Sequence, residues 1–301
     1  MELWIPITII AAFLQNVRSA MQKHLKGVMG DTGATFVRFG FGLPVAAFYW
    51  LVLVKGFGFA IPAFTPNFWF WVVIAALAQI GGTFLLVSLF SFRNFVVGTA
   101  YSRTEAMQTA FLALVLFGAS FTLGTIIAII ISVVGVMIIS VARTKITPLT
   151  LITSLTTKTA LIGILSGTFF AVAAVGFRQA TLSLVSDQFF MQACTTLLIG
   201  IAFQTAIMFL YMLAFDRQEI SNIARAWKPA AIVGLVGASA TFGWFSAFAL
   251  QQAAVVKVLG QVEILFTFTA SYFIFKERMN LLEMLGCAMI VGGILVLLLI
   301  G

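Results

Sequence analysis

The sequence has little charge, few acids, a single histidine and two cysteines. Of its 301 residues only 9% are charged, against about 25% in an ordinary soluble domain. A soluble fold of this length keeps much of its surface wet, and this chain has too few polar side chains for that. Disorder is excluded by the same scarcity, since disordered chains are polar and highly charged. Cys194 and Cys287 both lie in apolar segments and supply neither a disulfide framework nor metal-ligand spacing. No P-loop, H-E-x-x-H, G-x-S-x-G or paired-aspartate signature occurs, so an ATP-driven pump and the common hydrolase chemistries are not expected. No enzyme activity, cofactor or metal is anticipated. A basic leading region and an A-x-A site are also missing, so the first apolar segment reads as a membrane helix that is its own targeting signal.

What is present is apolar. Hydrophobic residues make up 62% of the chain and Phe occurs 32 times. A bilayer-spanning helix needs about 20 mostly apolar residues. Ten such segments can be drawn: 3–25, 33–54, 67–92, 95–117, 120–142, 159–182, 188–214, 229–251, 253–275 and 280–300. Their continuous apolarity argues against barrel strands, which are short and alternate with period two. The expected class is an all-α polytopic membrane protein. The net charge of +8 could suggest nucleic acid, but the basic residues are scattered between apolar segments, as cytoplasmic loop anchors are.

The two halves resemble each other. Sliding the chain by 158 residues places Thr83, Phe84, Ser88 and Phe90 on Thr241, Phe242, Ser246 and Phe248, and Glu105 on Glu263. Further along, Val133 and Gly135 fall on Val291 and Gly293. The division expected is a first five-helix repeat at 1–143, a Thr-rich linker at 144–157 and a second repeat at 158–301. Five helices is an odd number, so the second copy must enter the membrane inverted. Inverted repeats are typical of secondary transporters, with the site near the midplane between them. Loops bearing Lys23, Lys26, Arg93, Arg143, Lys145, Lys158, Arg217, Arg225, Lys228, Lys276 and Arg278 lie on one side, and only Lys55 on the other. The positive-inside rule makes the crowded side cytoplasmic and both termini external.

Ten helices in a five-plus-five repeat, Phe275-Lys276-Glu277 closing the ninth, and Gly286 and Gly292-Gly293 in the tenth resemble the drug/metabolite transporter superfamily, in particular its EamA-type branch. The resemblance implies a bacterial inner-membrane transporter of small metabolites. Members of that family often carry a proline midway along helices four and nine; this sequence has Glu105 and Glu263 near those places instead.

Burying a charge at mid-membrane costs about 2.5–3.5 kcal/mol on insertion scales, so each such residue is a site candidate. Glu105 and Glu263 lie near mid-segment and are candidate proton-coupling groups or, equally, ties between helices. Arg18, Arg38 and Arg103 could receive an anionic group, or the first two could snorkel to headgroups. Arg103 and Glu105 are two residues apart and should not pair with each other. Arg178 and Lys257 read as snorkelling residues near the ends of their segments. Gln15, Asn16, Ser19 and Gln22 form a polar stripe on the first segment, which must face protein or a wet cavity. Gln79, Tyr101 on the Glu105 face, and the mid-segment Trp244 complete the candidate binding set. Gly163 and Gly167 in G-x-x-x-G spacing should serve close helix packing.

These features point to a secondary transporter of a small organic metabolite, amino-acid-like or an organic anion, working by alternating access with or without protons. Its partners would be that substrate, the lipid bilayer and, for a coupled transporter, protons, with no nucleic acid; monomer and homodimer are both open. A non-transporting assembly or channel subunit and a multidrug or organic-cation exporter remain the alternatives.

Overall fold

The computed structural model describes residues 2–92, 95–142, 155–266 and 280–300. Thirteen helices carry this part of the chain: α1 Trp4–Leu25, α2 Asp31–Gly40, α3 Gly42–Leu51 (continued by a π-helical turn Val52–Gly56), α4 Pro66–Leu89, α5 Phe95–Ser102, α6 Glu105–Phe117, α7 Leu123–Val141, α8 Lys158–Ser183, α9 Phe189–Phe215, α10 Arg217–Arg225, α11 Trp227–Leu250, α12 Ala253–Gly260 and α13 Leu281–Ile300. Residues 262–266 are helical as well. No strand forms among the described residues; one antiparallel bridge pairs Ala63 with Val185. Most of the expected linker, the Phe275-Lys276-Glu277 motif, and Arg93, Arg143, Lys145, Lys276 and Arg278 lie outside the described residues.

Local chemistry sets the helix ends. Thr65, Thr122 and Thr157 each precede a helix, and each hydroxyl accepts from a main-chain N–H three residues on (Phe68, Thr125 and Ala160), satisfying one of the donors a helix start leaves open. Pro66 follows Thr65 at a position where its missing N–H costs nothing. α6 stops at Gly118, whose φ of 61° is the left-handed conformation glycine tolerates best. At the start of α13, Asn280 and Glu283 accept from each other's main-chain N–H, at 2.9 and 2.8 Å, a reciprocal cap.

Among the described residues, seven helical spans are long and apolar enough to cross a membrane: Asp31–Gly56, Pro66–Leu89, Leu123–Val141, Lys158–Ser183, Phe189–Phe215, Trp227–Leu250 and Leu281–Ile300. The protein is therefore a multi-pass integral membrane protein. Three expected segments are not among them, the ninth running in part beyond the described residues. α1 carries Gln15, Asn16, Arg18 and Gln22. The fourth and ninth segments, read as continuous, are broken: α5 and α6 meet at a turn over Arg103 and Thr104, and α12 gives way to a turn at Gln261 before residues 262–266. At both breaks i→i−3 bonds intervene, from Arg103 to Ala100 and from Gln261 to Val258.

The packing inverts the soluble pattern. Large side chains such as Phe215, Leu281 and Leu299 point outward, while the interior is rich in alanine, glycine, serine and threonine. Lipid removes the hydrophobic reward for burying Leu, so helices associate where small residues let backbones approach. α4 runs along α8, α1 along α11, and α7 along α13. A Cβ on Gly176 would come within 2.9 Å of the Ala75 Cβ, and one on Gly243 within 2.9 Å of the Ala11 Cβ. Between α7 and α13, a Cβ on Gly135 would lie 2.9 Å from the Gly286 carbonyl, and one on Gly293 3.0 Å from the Ala128 carbonyl. Gly163 packs directly on Gly98, and Gly167 on the Ser102 carbonyl, so the G-x-x-x-G pair does serve packing.

Candidate functional site

α1, α2, α4, α8 and α11, together with the two broken helices, surround a cavity of about 110 Å³. Gln15, Arg18 and Ser19 reach it from α1, Arg38 from α2, Gln79 from α4, and Arg103 and Glu105 from the first break. Phe170 and Phe177 line it from α8, Trp244, Phe245 and Phe248 from α11, and Lys257 from α12. A smaller recess between Gln15, Trp244, Gly260, Gln261 and Glu263 shares several of these walls.

Two ion pairs cross this space, each joining the first half of the chain to the second. Arg103 pairs with Glu263, and Lys257 donates to Glu105 across 3.1 Å. The prediction that Arg103 and Glu105 would not pair with each other is met: each reaches across to the other half. Glu263 is buried and also accepts from Gln15 Nε2 at 2.9 Å, while Asn16 donates to its main-chain carbonyl at 3.2 Å. The breaks make this possible. Glu105 opens α6, where a helix start favours negative charge, and the turns present Arg103 and Glu263 to one another.

The ammonium of Lys257 also lies 4.6 Å from the Trp244 ring centroid, within cation–π range. Lys257 thus does not snorkel to an interface; its side chain is only 11% exposed, because a carboxylate and an indole face are offered inside the protein. Arg178 is half-buried and donates to the Gln251 carbonyl at the end of α11, at 3.1 Å. The far edge of the Trp244 ring abuts α12 at Gly260, where a Cβ would collide with it. Its Nε1 is buried and has no acceptor among the described residues.

Arg18 and Arg38 are both buried, and neither snorkels. Arg18 donates to Ser19 Oγ at 3.2 Å and Arg38 to Thr83 Oγ1 at 2.9 Å, while Thr83 gives its own proton to the Gln79 carbonyl. Gln79 accepts from Gln204, a buried residue of α9 that the sequence did not single out. Tyr101 does not line the cavity: it packs with Val141 and Ala160. The tightened turn after Ser102 breaks the helical phase that would have set Tyr101 above Glu105 on one face. The polar stripe of α1 faces the cavity at Gln15 and Ser19 and protein at Gln22, which donates to the Ala34 carbonyl at 2.8 Å. The aromatic wall at Phe177, Phe245 and Phe248 was missed, since Phe is too common here to signal anything.

Fold and site together define a polytopic helical membrane protein with a charged cavity at its centre. Residues 157–299 match the model of the EamA-like transporter family, part of the drug/metabolite transporter superfamily, so the second half of the chain is similar to that family. A solved structure titled only as the crystal structure of a protein shares the fold, with a TM-score of 0.71 over 99% of this chain and 96% of that one at 14% identity. No curated protein matches the sequence.

Proposed function

We propose that the protein is a secondary transporter of a small organic metabolite, amino-acid-like or an organic anion, built from ten membrane-crossing segments in two inverted five-helix repeats. The observation that carries this reading is the central cavity, lined from both halves of the chain and crossed by ion pairs joining them.

The contacts support the repeat. In a twofold-related pair of helices, a contact between residues a and b must recur between their counterparts. Gly135 against Gly286 has its counterpart, 158 residues along, in Gly293 against Ala128, and both approaches occur. α7 and α13 run antiparallel, so the axis relating them lies across the helices, in the membrane plane. Thr122 and Asn280, which cap those helices, are equivalent under the same shift, as are Arg103 and Gln261 at the two breaks. Discontinuous helices at a midplane site are a recurrent feature of transporters.

Alternating access needs one end of the cavity closed while the other admits substrate. At the end away from Arg18 and Arg38 the halves are tied together: Ala63 and Val185 exchange main-chain bonds, and Thr65 and Asn67 both bond Ser183. With the positive side in the cytoplasm of a bacterial inner membrane, this is the external end. Glu105 and Glu263 are the candidate coupling groups, because protonating either one releases an inter-half ion pair. The test is flux into proteoliposomes for a panel of amino acids, amines and organic anions, with and without a pH gradient. Substrate accumulation supports transport. If Glu105→Gln or Glu263→Gln keeps exchange but loses gradient-driven accumulation, that carboxyl couples. If both variants fold and accumulate substrate with unchanged pH dependence, neither does. A pore that conducts without saturating would favour the channel alternative.

A further inference from the structure

Resting on the transporter reading, the charge inventory of the cavity narrows the substrate. Four cationic side chains line it, Arg18, Arg38, Arg103 and Lys257, against the carboxylates Glu105 and Glu263 of the cavity and its adjoining recess. The carboxylates are taken: Lys257 holds Glu105, and Arg103 with Gln15 holds Glu263. Arg18 and Arg38 have no carboxylate in ion-pair contact among the described residues: each donates to a hydroxyl, and the Arg38 guanidinium also lies 5.3 Å from the Phe39 ring centroid. Both stems pass over one glycine, since a Cβ on Gly237 would lie 3.3 Å from Arg18 Cδ and 3.6 Å from Arg38 Cγ. Two like charges held side by side out of water are costly unless an anion joins them.

The hydrogen-bonding inventory points the same way. Each guanidinium carries five N–H donors and spends one on its hydroxyl partner. The indole N–H of Trp244 is a further buried donor with no acceptor among the described residues. A substrate ammonium would find no open carboxylate and would have to displace a tethered cation. The same cavity has an aromatic wall, with Trp244 and Phe248 centroids 6.1 Å apart and Phe177 and Phe245 4.4 Å apart.

We infer that the cavity binds a small organic anion of two negative charges, an oxyanion head (dicarboxylate or phosphate monoester) on a flat apolar body, without an amine. The Arg18–Arg38 pair takes the head by bidentate bonds, and the aromatic wall takes the body.

The test uses the full chain in lipid nanodiscs, with phthalate, phenyl phosphate, benzoate, phenylalanine and benzyltrimethylammonium as probes, read by equilibrium binding and thermal shift. Phthalate or phenyl phosphate should bind at least about ten-fold tighter than benzoate, and the other two should not bind; which of the first two wins distinguishes carboxylate from phosphate. Arg18→Gln and Arg38→Gln should each weaken that binding about 10- to 100-fold while raising the melting temperature of the unliganded protein. Arg178→Gln should leave binding unchanged. Should a Gln variant not fold, Arg18→Lys and Arg38→Lys keep the charge without the planar fork and should still weaken binding. Preferential binding of phenylalanine or the quaternary amine, binding of neither dianion, or dianion binding indifferent to both arginines would overturn the inference. Flux separates it from the reading beneath: saturable phenylalanine exchange would leave a transporter with a different substrate, whereas a dianion that binds yet never crosses would leave the site and remove the transporter.

Discussion

At the residue scale, the membrane makes partner choice unforgiving. Removing one member of a buried ion pair strands the other, at about 3–5 kcal/mol when both are fully buried. The two pairs here differ. Arg103 is 37% exposed on the cavity side while Glu263 is 5% exposed, so Arg103→Gln strands the more deeply buried partner. The melting temperature should therefore fall further for Arg103→Gln than for Glu263→Gln. Equal melting temperatures for the two variants would contradict this. Gly260 is a second sensitive position. The methyl of Gly260→Ala would drive the Trp244 ring off α12 and away from Lys257, and we expect weakened substrate affinity with little loss of folded protein, measured by binding against yield of monodisperse protein.

At the scale of the elements, glycine has two meanings that burial separates. Gly163 lies against the Gly98 main chain, whereas nothing lies within 4 Å of a Cβ on Gly292. Gly163→Ala should push α8 from α5 and lower the melting temperature by several degrees. Gly292→Ala should be neutral or stabilising, since alanine is favoured over glycine in a helix by up to about 1 kcal/mol; a melting curve for each decides. The buried carboxylate of Glu219 is a third element-level device. It accepts from the Gly30 N–H at 2.8 Å and from Asn222 at 2.8 Å, so α10 caps the start of α2, and Gly33 is the glycine that makes room for it. Gly33→Ala should unseat this contact and lower the yield of folded protein more than Gly27→Ala, which meets only a carbonyl at 3.5 Å.

At the scale of the whole molecule, orientation is the open variable with the sharpest test. α9 runs from Asp187, before its start, to Ser221, beyond its end, and both flanks are exposed. In a background with Cys194 and Cys287 replaced, Asp187→Cys should react with an impermeant thiol reagent from outside, and Ser221→Cys only after permeabilisation. The reverse pattern would invert the inside-positive assignment and exchange the two ends of the cavity.

Composition alone established the membrane as solvent, and apolar runs placed most helices within a few residues of their observed ends, because a bilayer of fixed thickness demands a run of fixed length. The internal shift linking Glu105 to Glu263 was readable for the same reason: acids are so rare here that two in register stand out. α1 and the two broken helices supply Arg18, Arg103, Glu105, Lys257 and Glu263, where polar residues interrupt the apolar runs, while Arg38 comes from a span that is apolar enough to cross a membrane. What only the tertiary structure decided is who meets whom. Lys257 looked like a snorkelling residue, and snorkelling was an equal reading for Arg18 and Arg38, since sequence gives depth along a helix but not the partner across it. Glu105 finds Lys257 and Glu263 finds Arg103 more than 150 residues away along the chain. Those encounters depend on two tightened turns that no proline announces and on glycines that let the helices close. Which cations were left without a carboxylate, and so what the cavity would hold, followed from that packing.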